Sequence, residues 1–401
     1  MKKIIDKKNI IFLVGYFSLI IGFIINEDIS GGSRHDYLIL QDNLIKTGFA
    51  NGVFSYLFDF YVKSQLFHSP IFYILIYYLQ NLFGNDLTRL FLLHVFLILP
   101  YLYYKNLNLK FKETNFLIYF ILIFFLSTSY RSIAIWSGRE ILTIILLLVS
   151  IFNFLKFNNN FKLKYIYISF TFLAAASYIS PEVGIISIIF FLDIYKTLGT
   201  KHVIRLLIFN LIIALPFLLY IYYYLQFERN LTSSFIMNLK NNSIFFFSSI
   251  LIFTIPFVLT NLKNYFKFIK KKIFLFIAVT TFFMIINLNF ESNIGGGALN
   301  FVLKKLELEN IIFIFSSVGL INILYIFQIN LKYNILVLSV FLIQTCLNFH
   351  FFHKYVDLFW VIYFVFLFKG SNIDYYLKNK KFITYLLSLY SSVFIGALIF
   401  K

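Results

Sequence analysis

Residues 9–26 read NIIFLVGYFSLIIGFIIN, an uncharged run that follows the lysine-rich start of the chain. A helix needs about 17–25 apolar residues to cross a bilayer, and this run has that length. Similar runs recur along all 401 residues, and they lack the alternation of apolar and polar positions that marks the strands of membrane barrels. The sequence therefore predicts an all-α, polytopic integral membrane protein.

The composition excludes a soluble protein. Hydrophobic residues make up 60% of the chain and charged residues 13%, whereas soluble domains carry about 25% charged residues. The 35 Lys and Arg outnumber the 17 Asp and Glu, for a net charge of +18. The basic residues cluster between apolar runs, as the positive-inside rule describes. We therefore expect membrane lipids as partners and no nucleic acid.

The basic clusters also predict the topology. Four lysines among the first eight residues place the N-terminus in the cytoplasm, so the first span exports residues 27–89. Within that segment, residues 70–83 (PIFYILIYYLQNLF) are too short for an ordinary span and typical of an interfacial helix. Keeping this helix outside places later clusters, such as residues 263–272, in the cytoplasm. We expect about 13 transmembrane helices in a single transmembrane domain (residues 1–401), a long first outer loop with interfacial helices, and no separate soluble domain.

Polar residues gather in the predicted outer segments, while the span centres carry almost no ionisable side chains. This distribution disfavours an ion-coupled transporter. The richest outer segment is residues 29–37, ISGGSRHDY, a glycine turn that leads into apolar residues at helical spacing. Asp36 has two interpretations here. It caps the helix that follows, or it is a general base beside Arg34 and His35 that accepts a proton from a hydroxyl.

The order of motifs in this loop resembles that of the GT-C membrane glycosyltransferases. His35-Asp36 comes first, His68-Ser69-Pro70-Ile71 precedes Tyr73, and Phe83-Gly84 and Arg89-Leu90 follow. The similar members are the dolichyl-phosphate-mannose–protein mannosyltransferase and lipid A aminoarabinose transferase group. Those enzymes typically have an Asp-Glu pair and a Lys-Pro-Pro-Leu segment, so this chain departs by one acid and by a histidine in place of lysine.

Two later segments are also similar to that group. Residues 130–140 (YRSIAIWSGRE) end in Glu140, where such enzymes often carry a second acid. Residues 353–357 (HKYVD) open a late span, as a basic residue followed by tyrosine does in many members.

The resemblance implies a GT-C-like fold and an inverting transfer of a sugar from a polyprenyl-phosphate donor to a lipid, glycan or protein acceptor. It places the site on the extracytoplasmic face of a bacterial inner membrane, with Asp36 as the catalytic base. The residues implied to hold the donor phosphate are His68, Arg131, Arg139 and Lys354. Those implied to bind substrate are Arg34, His35, Trp136, Glu140 and Tyr355.

A second interpretation, without a role in binding substrate, stays open for three basic residues of this set. Arg131, Arg139 and Lys354 are equally interpreted as anchors that extend to the lipid headgroups. No cofactor is expected, because His350 and His353 lack a third metal ligand nearby in the sequence.

Two alternative functions also stay open. An O-antigen or capsule polymerase acts on lipid-linked sugars too, but it usually has a large, arginine-bearing outer loop in its later half. A lipid-linked oligosaccharide flippase or other transporter predicts paired repeats and charges along a central path. Functional charge concentrated on one face favours the transferase over a carrier.

Overall fold

The computed structural model describes residues 7–30, 32–41, 49, 52–53, 70–111, 117–225, 231–287, 297–346 and 353–399. Every regular element in these ranges is helical, and they contain no strand. The helices group into two compact units. Unit 1 comprises residues 1–229 and 393–401, and unit 2 comprises residues 230–392. The predicted all-α fold class is confirmed, while the single transmembrane domain stays a prediction.

Unit 1 carries the first part of the chain. Its described helices are α1 (Lys7–Ile24), α2 (Ser33–His35), α3 (Pro70–Phe83), α4 (Asn85–Phe96), α5 (Ile98–Phe111), α6 (Tyr119–Leu126), α7 (Thr128–Ile135), α8 (Arg139–Asn160), α9 (Leu163–Ile179), α10 (Ser187–Leu198) and α11 (Thr200–Leu225). A π-helical turn (Asp36–Gln41) continues α2, and a 3-10 helix (Pro181–Ile186) precedes α10.

Unit 2 is built in the same way. Its described helices are α12 (Leu231–Thr260), α13 (Leu262–Lys271), α14 (Ile273–Asn287), α15 (Gly297–Lys305), α16 (Ile312–Ile326), α17 (Leu331–Cys346), α18 (His353–Ile362), α19 (Ser371–Lys378) and α20 (Lys380–Ile399), whose last turns belong to unit 1. A short 3-10 helix (Glu309–Ile311) precedes α16, and a π-helical turn (Tyr363–Leu367) continues α18.

Six helical segments of the described chain are long and apolar enough to cross a membrane. They are Asn85–Phe111, Arg139–Asn160, Thr200–Leu219, Asn238–Thr260, Glu309–Ile326 and Lys380–Ile399. Shorter apolar helices accompany them, including residues 9–24 and 71–83. These helices indicate a membrane-embedded protein. The total of about 13 spans stays a prediction.

Small polar side chains join neighbouring helices in unit 1. The Ser150 hydroxyl of α8 donates to the Ser169 carbonyl of α9 at 2.8 Å, and the Ser169 hydroxyl donates to the Ser150 carbonyl at 2.9 Å. Both serines are fully buried. Short side chains of this kind let apolar helices approach closely and hydrogen-bond where no water competes.

The helical segment Asn85–Phe111 is interrupted at Leu97, between α4 and α5. Pro100 lacks a backbone N–H, so it cannot donate to the carbonyl of Phe96 one turn earlier. The buried Tyr130 hydroxyl of α7 donates to this carbonyl at 3.0 Å instead. This hydrogen bond satisfies the Phe96 carbonyl and connects α7 to α4.

Candidate functional site

The candidate site begins at the C-terminal end of α1. Asn26 adopts a left-handed conformation with φ of 52°. The Glu27 N–H donates to the Gly22 carbonyl at 2.8 Å, and the Asn26 N–H donates to the Phe23 carbonyl at 3.1 Å. This pair of bonds is the Schellman pattern, which ends a helix and reverses the chain sharply. As a result Glu27 lies directly against α7.

Glu27 and Arg131 form a buried, bidentate ion pair. The Nε and Nη2 groups of Arg131 each donate to one Glu27 carboxylate oxygen at 2.6 Å. The two side chains are 5% and 3% exposed. The remaining N–H groups of Arg131 donate to the Ser18 hydroxyl, the Ser18 carbonyl and the Phe125 carbonyl. All five guanidinium donors are therefore used within the protein, and the headgroup-anchor interpretation of Arg131 is wrong.

Arg89 stacks on Trp136 beside this ion pair. The guanidinium carbon lies 3.8 Å from the indole centre, well within cation–π range. Arg89 is 5% exposed, and its Nε and Nη2 groups donate to the Ile135 carbonyl and the Asn26 amide oxygen, both at 3.3 Å. The Trp136 indole N–H donates to the Glu27 carbonyl at 2.8 Å. These bonds lock the loop after α1 onto the end of α7.

The segment with Asp36 packs beside the same indole. The buried Tyr37 ring lies 6.1 Å from the Trp136 ring and 5.6 Å from the Arg89 guanidinium. The guanidinium of Arg34, an exposed residue, lies 5.5 Å from the indole centre. Asp36 itself is half-buried and His35 is exposed.

Asp36 is not the helix cap that one interpretation predicts. The helical segment begins at Ser33, with Gly32 in the cap position, and the Asp36 N–H donates back to the Gly32 carbonyl at 2.9 Å. Its carboxylate therefore lies one turn inside the segment, beside Tyr37. Residues 42–48, into which the apolar residues at helical spacing continue, lie outside the described residues.

A second cluster of charge lies at the start of α8. Arg139 and Glu140 occupy its first turn and are 5% and 8% exposed. Glu182, in the 3-10 helix after α9, interacts electrostatically with both Arg139 and Glu140. Burial raises the pKa of the Glu182 carboxyl, and the Arg139 charge lowers this pKa by less while the Glu140 charge raises it further. Buried Arg139 is therefore no headgroup anchor either.

We expect replacing Glu182 with glutamine to stabilise the protein above the ordinary glutamate pKa of 4.5. The Glu182 carboxyl binds a proton more tightly in the folded state than in the unfolded state. The free energy of unfolding of the wild type therefore falls as the pH rises above the unfolded pKa. The glutamine variant has no proton to lose at this position, so its free energy of unfolding should not show this decrease. Thermal unfolding in detergent between pH 4 and pH 8 measures it. Parallel pH profiles of the two proteins would contradict the prediction.

The structure brings some of the predicted site residues together. Arg34 and Trp136 are in contact range, Asp36 precedes Tyr37 of the same cluster, and Arg139 and Glu140 share one helical turn. His68 lies outside the described residues. Lys354 and Tyr355 belong to α18 in unit 2, and their side chains also lie outside what is described. Among described residues, no group of three His, Cys, Asp or Glu side chains could hold a metal ion.

No protein-family model matches this chain, and no curated protein or solved structure matches it. The resemblance to GT-C enzymes therefore stays a prediction.

Sequence reasoning missed Glu27, Tyr37 and Arg89 as site residues. Glu27 has one visible signal, an acid directly after an apolar run. Arg89 has another, an arginine that begins an apolar run five residues after Gly84. Neither signal shows that both residues meet at Trp136. With them included, the site places two arginines against the Trp136 ring, an arrangement suited to an anionic ligand.

Proposed function

We propose that the protein is an inverting membrane glycosyltransferase, which moves a sugar from a polyprenyl-phosphate donor to a hydroxyl of a lipid, glycan or protein acceptor. The observation that carries the proposal is the pair of guanidinium groups, Arg34 and Arg89, at 5.5 and 3.8 Å from the Trp136 indole. Asp36 lies on the same segment as Arg34, two residues away. We assign phosphate binding to the two arginines and proton acceptance to Asp36.

The two arginines suit a donor phosphate for a physical reason. Their charges repel each other, and Asp86, the carboxylate at 3.4 Å from Arg89, is 87% exposed and therefore a weak counter-ion. Within the described chain Arg34 forms no ion pair. A phosphate between the two guanidinium groups would relieve the repulsion and accept their remaining N–H groups.

The proposed reaction needs one proton acceptor and one charged leaving group. Asp36 takes the proton of the acceptor hydroxyl while the oxygen of that hydroxyl attacks the anomeric carbon of the sugar. The bond from that carbon to the phosphate oxygen breaks with inversion, and its electron pair leaves with the phosphate. Arg34 and Arg89 stabilise the charge that builds there, and the buried Trp136 and Tyr37 rings support the Arg89 guanidinium from within the protein.

The other predicted phosphate ligands fit this scheme to different degrees. Arg131 would have to exchange its five internal hydrogen bonds for a ligand, so we assign it to holding the loop through Glu27 instead. In the second cluster, Arg139 keeps its proposed role toward the donor phosphate and Glu140 its proposed role toward the substrate. His68, Lys354 and Tyr355 keep their proposed roles, His68 and Lys354 toward the donor phosphate and Tyr355 toward the substrate.

The proposal includes a location. The protein lies in a bacterial inner membrane with a cytoplasmic N-terminus, about 13 spans, and the site on the extracytoplasmic face. The first loop (residues 27–89) contributes to the site from both of its ends, because Asp36 lies near its beginning and Arg89 at its end. This topology keeps most lysine clusters in the cytoplasm.

We expect the replacement of Asp36 by asparagine to reduce sugar transfer by about 10²–10⁴-fold, the typical contribution of a general base. The measurement compares envelope glycans and prenyl-linked sugars by mass spectrometry in a null strain that carries either the wild-type or the variant gene. The variant strain should lose one sugar from a glycan and accumulate its prenyl-phosphate donor.

Asp193→Asn is the matched control, because Asp193 is also a half-buried aspartate of unit 1 but lies on the predicted cytoplasmic side. It should leave the glycan profile unchanged at equal membrane expression. If the Asp36 variant restores the wild-type profile, Asp36 is not the base. A null strain with an unchanged glycan profile would instead contradict the transferase itself.

A further inference from the structure

The helix α13 (LKNYFKFIKK) is a short basic connection between two apolar helices, α12 and α14. Its exposed lysines, with the one that follows it, are Lys263, Lys267, Lys270, Lys271 and Lys272. The helix contains no acidic residue, and within the described chain none of these lysines forms an ion pair. The helix therefore presents a row of uncompensated positive charge.

One edge of the apolar face of α13 is anchored to the protein. Tyr265 is 9% exposed, and its hydroxyl donates to the Asn322 amide oxygen of α16 at 2.7 Å. The Phe268 ring lies 5.5 Å from the Tyr325 ring, also on α16. These contacts fix the rotation of α13 about its own axis.

The other edge of the apolar face is not covered by the described residues. Leu262 is 42% exposed and Phe266 is 65% exposed. They are four residues apart and so form one stripe, which runs directly beside Lys263 and Lys270 on the helix surface. A stripe of large apolar side chains next to a stripe of lysines is the pattern of a helix that lies in a membrane interface.

The surroundings of α13 extend the positive charge. Tyr325, which packs against Tyr265, stands at the C-terminal end of α16. The chain then turns into α17, where the Asn334 side-chain amide donates to the Lys369 carbonyl at 2.7 Å. Exposed Lys332 and Lys369 therefore lie at the same end of unit 2 as α13.

We propose that α13 binds the headgroups of anionic phospholipids. Its lysines pair with the headgroup phosphates, while Leu262 and Phe266 enter the boundary between headgroups and acyl chains. Each lysine close to an anionic membrane surface contributes about fivefold to binding. This surface does not depend on the proposed transferase activity, and the predicted topology places it on the cytoplasmic side.

The test uses the full-length protein with Phe266→Trp, reconstituted into vesicles of phosphatidylcholine with a minor fraction of acyl-brominated lipid. The brominated lipid is either phosphatidylglycerol or phosphatidylcholine, and bromine quenches a tryptophan that touches it. The unchanged protein, whose Trp136 and Trp360 are buried, supplies the background. Brominated phosphatidylglycerol should quench more strongly at equal mole fraction.

Two lysine variants in the Phe266→Trp background decide the outcome. Lys267→Gln with Lys271→Gln should bring the two quenching curves together, because about 25-fold of relative affinity is removed. Lys162→Gln with Lys164→Gln removes the same charge from exposed positions of unit 1 and should keep the curves apart. Equal quenching by both lipids in the parent, no quenching by either, or an unchanged preference in the first variant would overturn the proposal.

Discussion

Replacing Glu27 with glutamine is expected to lower the free energy of unfolding by about 3–5 kcal/mol, the usual result of removing one partner of a buried ion pair. Glutamine keeps the shape of the side chain but not its charge. The Arg131 guanidinium, 3% exposed, would then be left in the interior with an uncompensated charge. The carbonyl groups of Ser18 and Phe125 that it also contacts carry only partial charges.

The packing around the pair prevents an easy relaxation. A Cβ at Gly22 would lie 2.8 Å from the Glu27 carboxylate and 3.0 Å from the Arg131 Nη2 atom, with Ile135 at 2.8 Å on another side. The pair is therefore packed closely between α1 and α7, and its side chains, 5% and 3% exposed, have little contact with water. The size of the expected effect follows from this burial.

Equilibrium unfolding in mixed micelles of SDS and a mild detergent measures the effect. Asp86→Asn is the matched control, because it removes the acid of the Arg89 ion pair, in which Asp86 is 87% exposed. Its expected cost is less than about 1 kcal/mol. Glu27→Gln combined with Arg131→Met should recover part of the loss, since no charge is then buried. A double variant less stable than Glu27→Gln alone would contradict this account.

The sequence predicted helices well where the signal is local. The prediction of a fourteen-residue helix over residues 70–83 agrees with α3 (Pro70–Phe83), because a proline start and a glycine stop enclose an apolar run. The apolar run predicted as a span over residues 9–26 forms the helix Lys7–Ile24, with Asn26 in the reversal that follows. The helix ends before the apolar run does because the Schellman turn at Asn26 reverses the chain, and hydrophobicity alone does not report such a turn.

The candidate site was predictable only in part, because its contacts join distant segments. Asp36, Arg34 and Trp136 could be singled out from their chemistry. The pairing of Glu27 with Arg131 could not, since 104 residues separate them and each taken alone suits a loop charge or a headgroup anchor. The same holds for Arg89, whose position on Trp136 depends on how α4 packs against α7. Composition identifies the reactive side chains, while the tertiary fold decides which of them meet.

A close backbone contact between α12 and α16 gives the second large prediction. A Cβ added at Gly319 of α16 would lie 2.0 Å from the carbonyl oxygen of Phe247 in α12, 3.0 Å from its carbonyl carbon, and 3.3 Å from the Leu251 nitrogen. All three are backbone atoms, so no side chain can move aside. Gly319→Ala must push the two helices apart, and we expect a loss of about 3 kcal/mol, the upper end of the usual cost of overpacking.

The separation would also break hydrogen bonds on either side of the contact. The Ser316 hydroxyl donates to the Ile244 carbonyl at 2.8 Å, and the Asn322 amide donates to the Thr254 hydroxyl at 3.0 Å. Both bonds cross between α16 and α12. If the helices separate, the polar groups of these two bonds lose their partners. An unpaired polar group in a membrane interior costs several kcal/mol.

The control for Gly319→Ala is Gly396→Ala in α20, where an added Cβ meets nothing within 4 Å. That change should be neutral or stabilising by up to about 1 kcal/mol, because alanine favours the helix over glycine. Unfolding in mixed micelles compares the two variants. Adding Phe247→Leu to Gly319→Ala should not restore stability, since the clash is with the carbonyl of residue 247 and not with its ring. Equal stability of the two glycine variants would mean that α12 and α16 do not touch through their backbones, and rescue by Phe247→Leu would assign the contact to side chains.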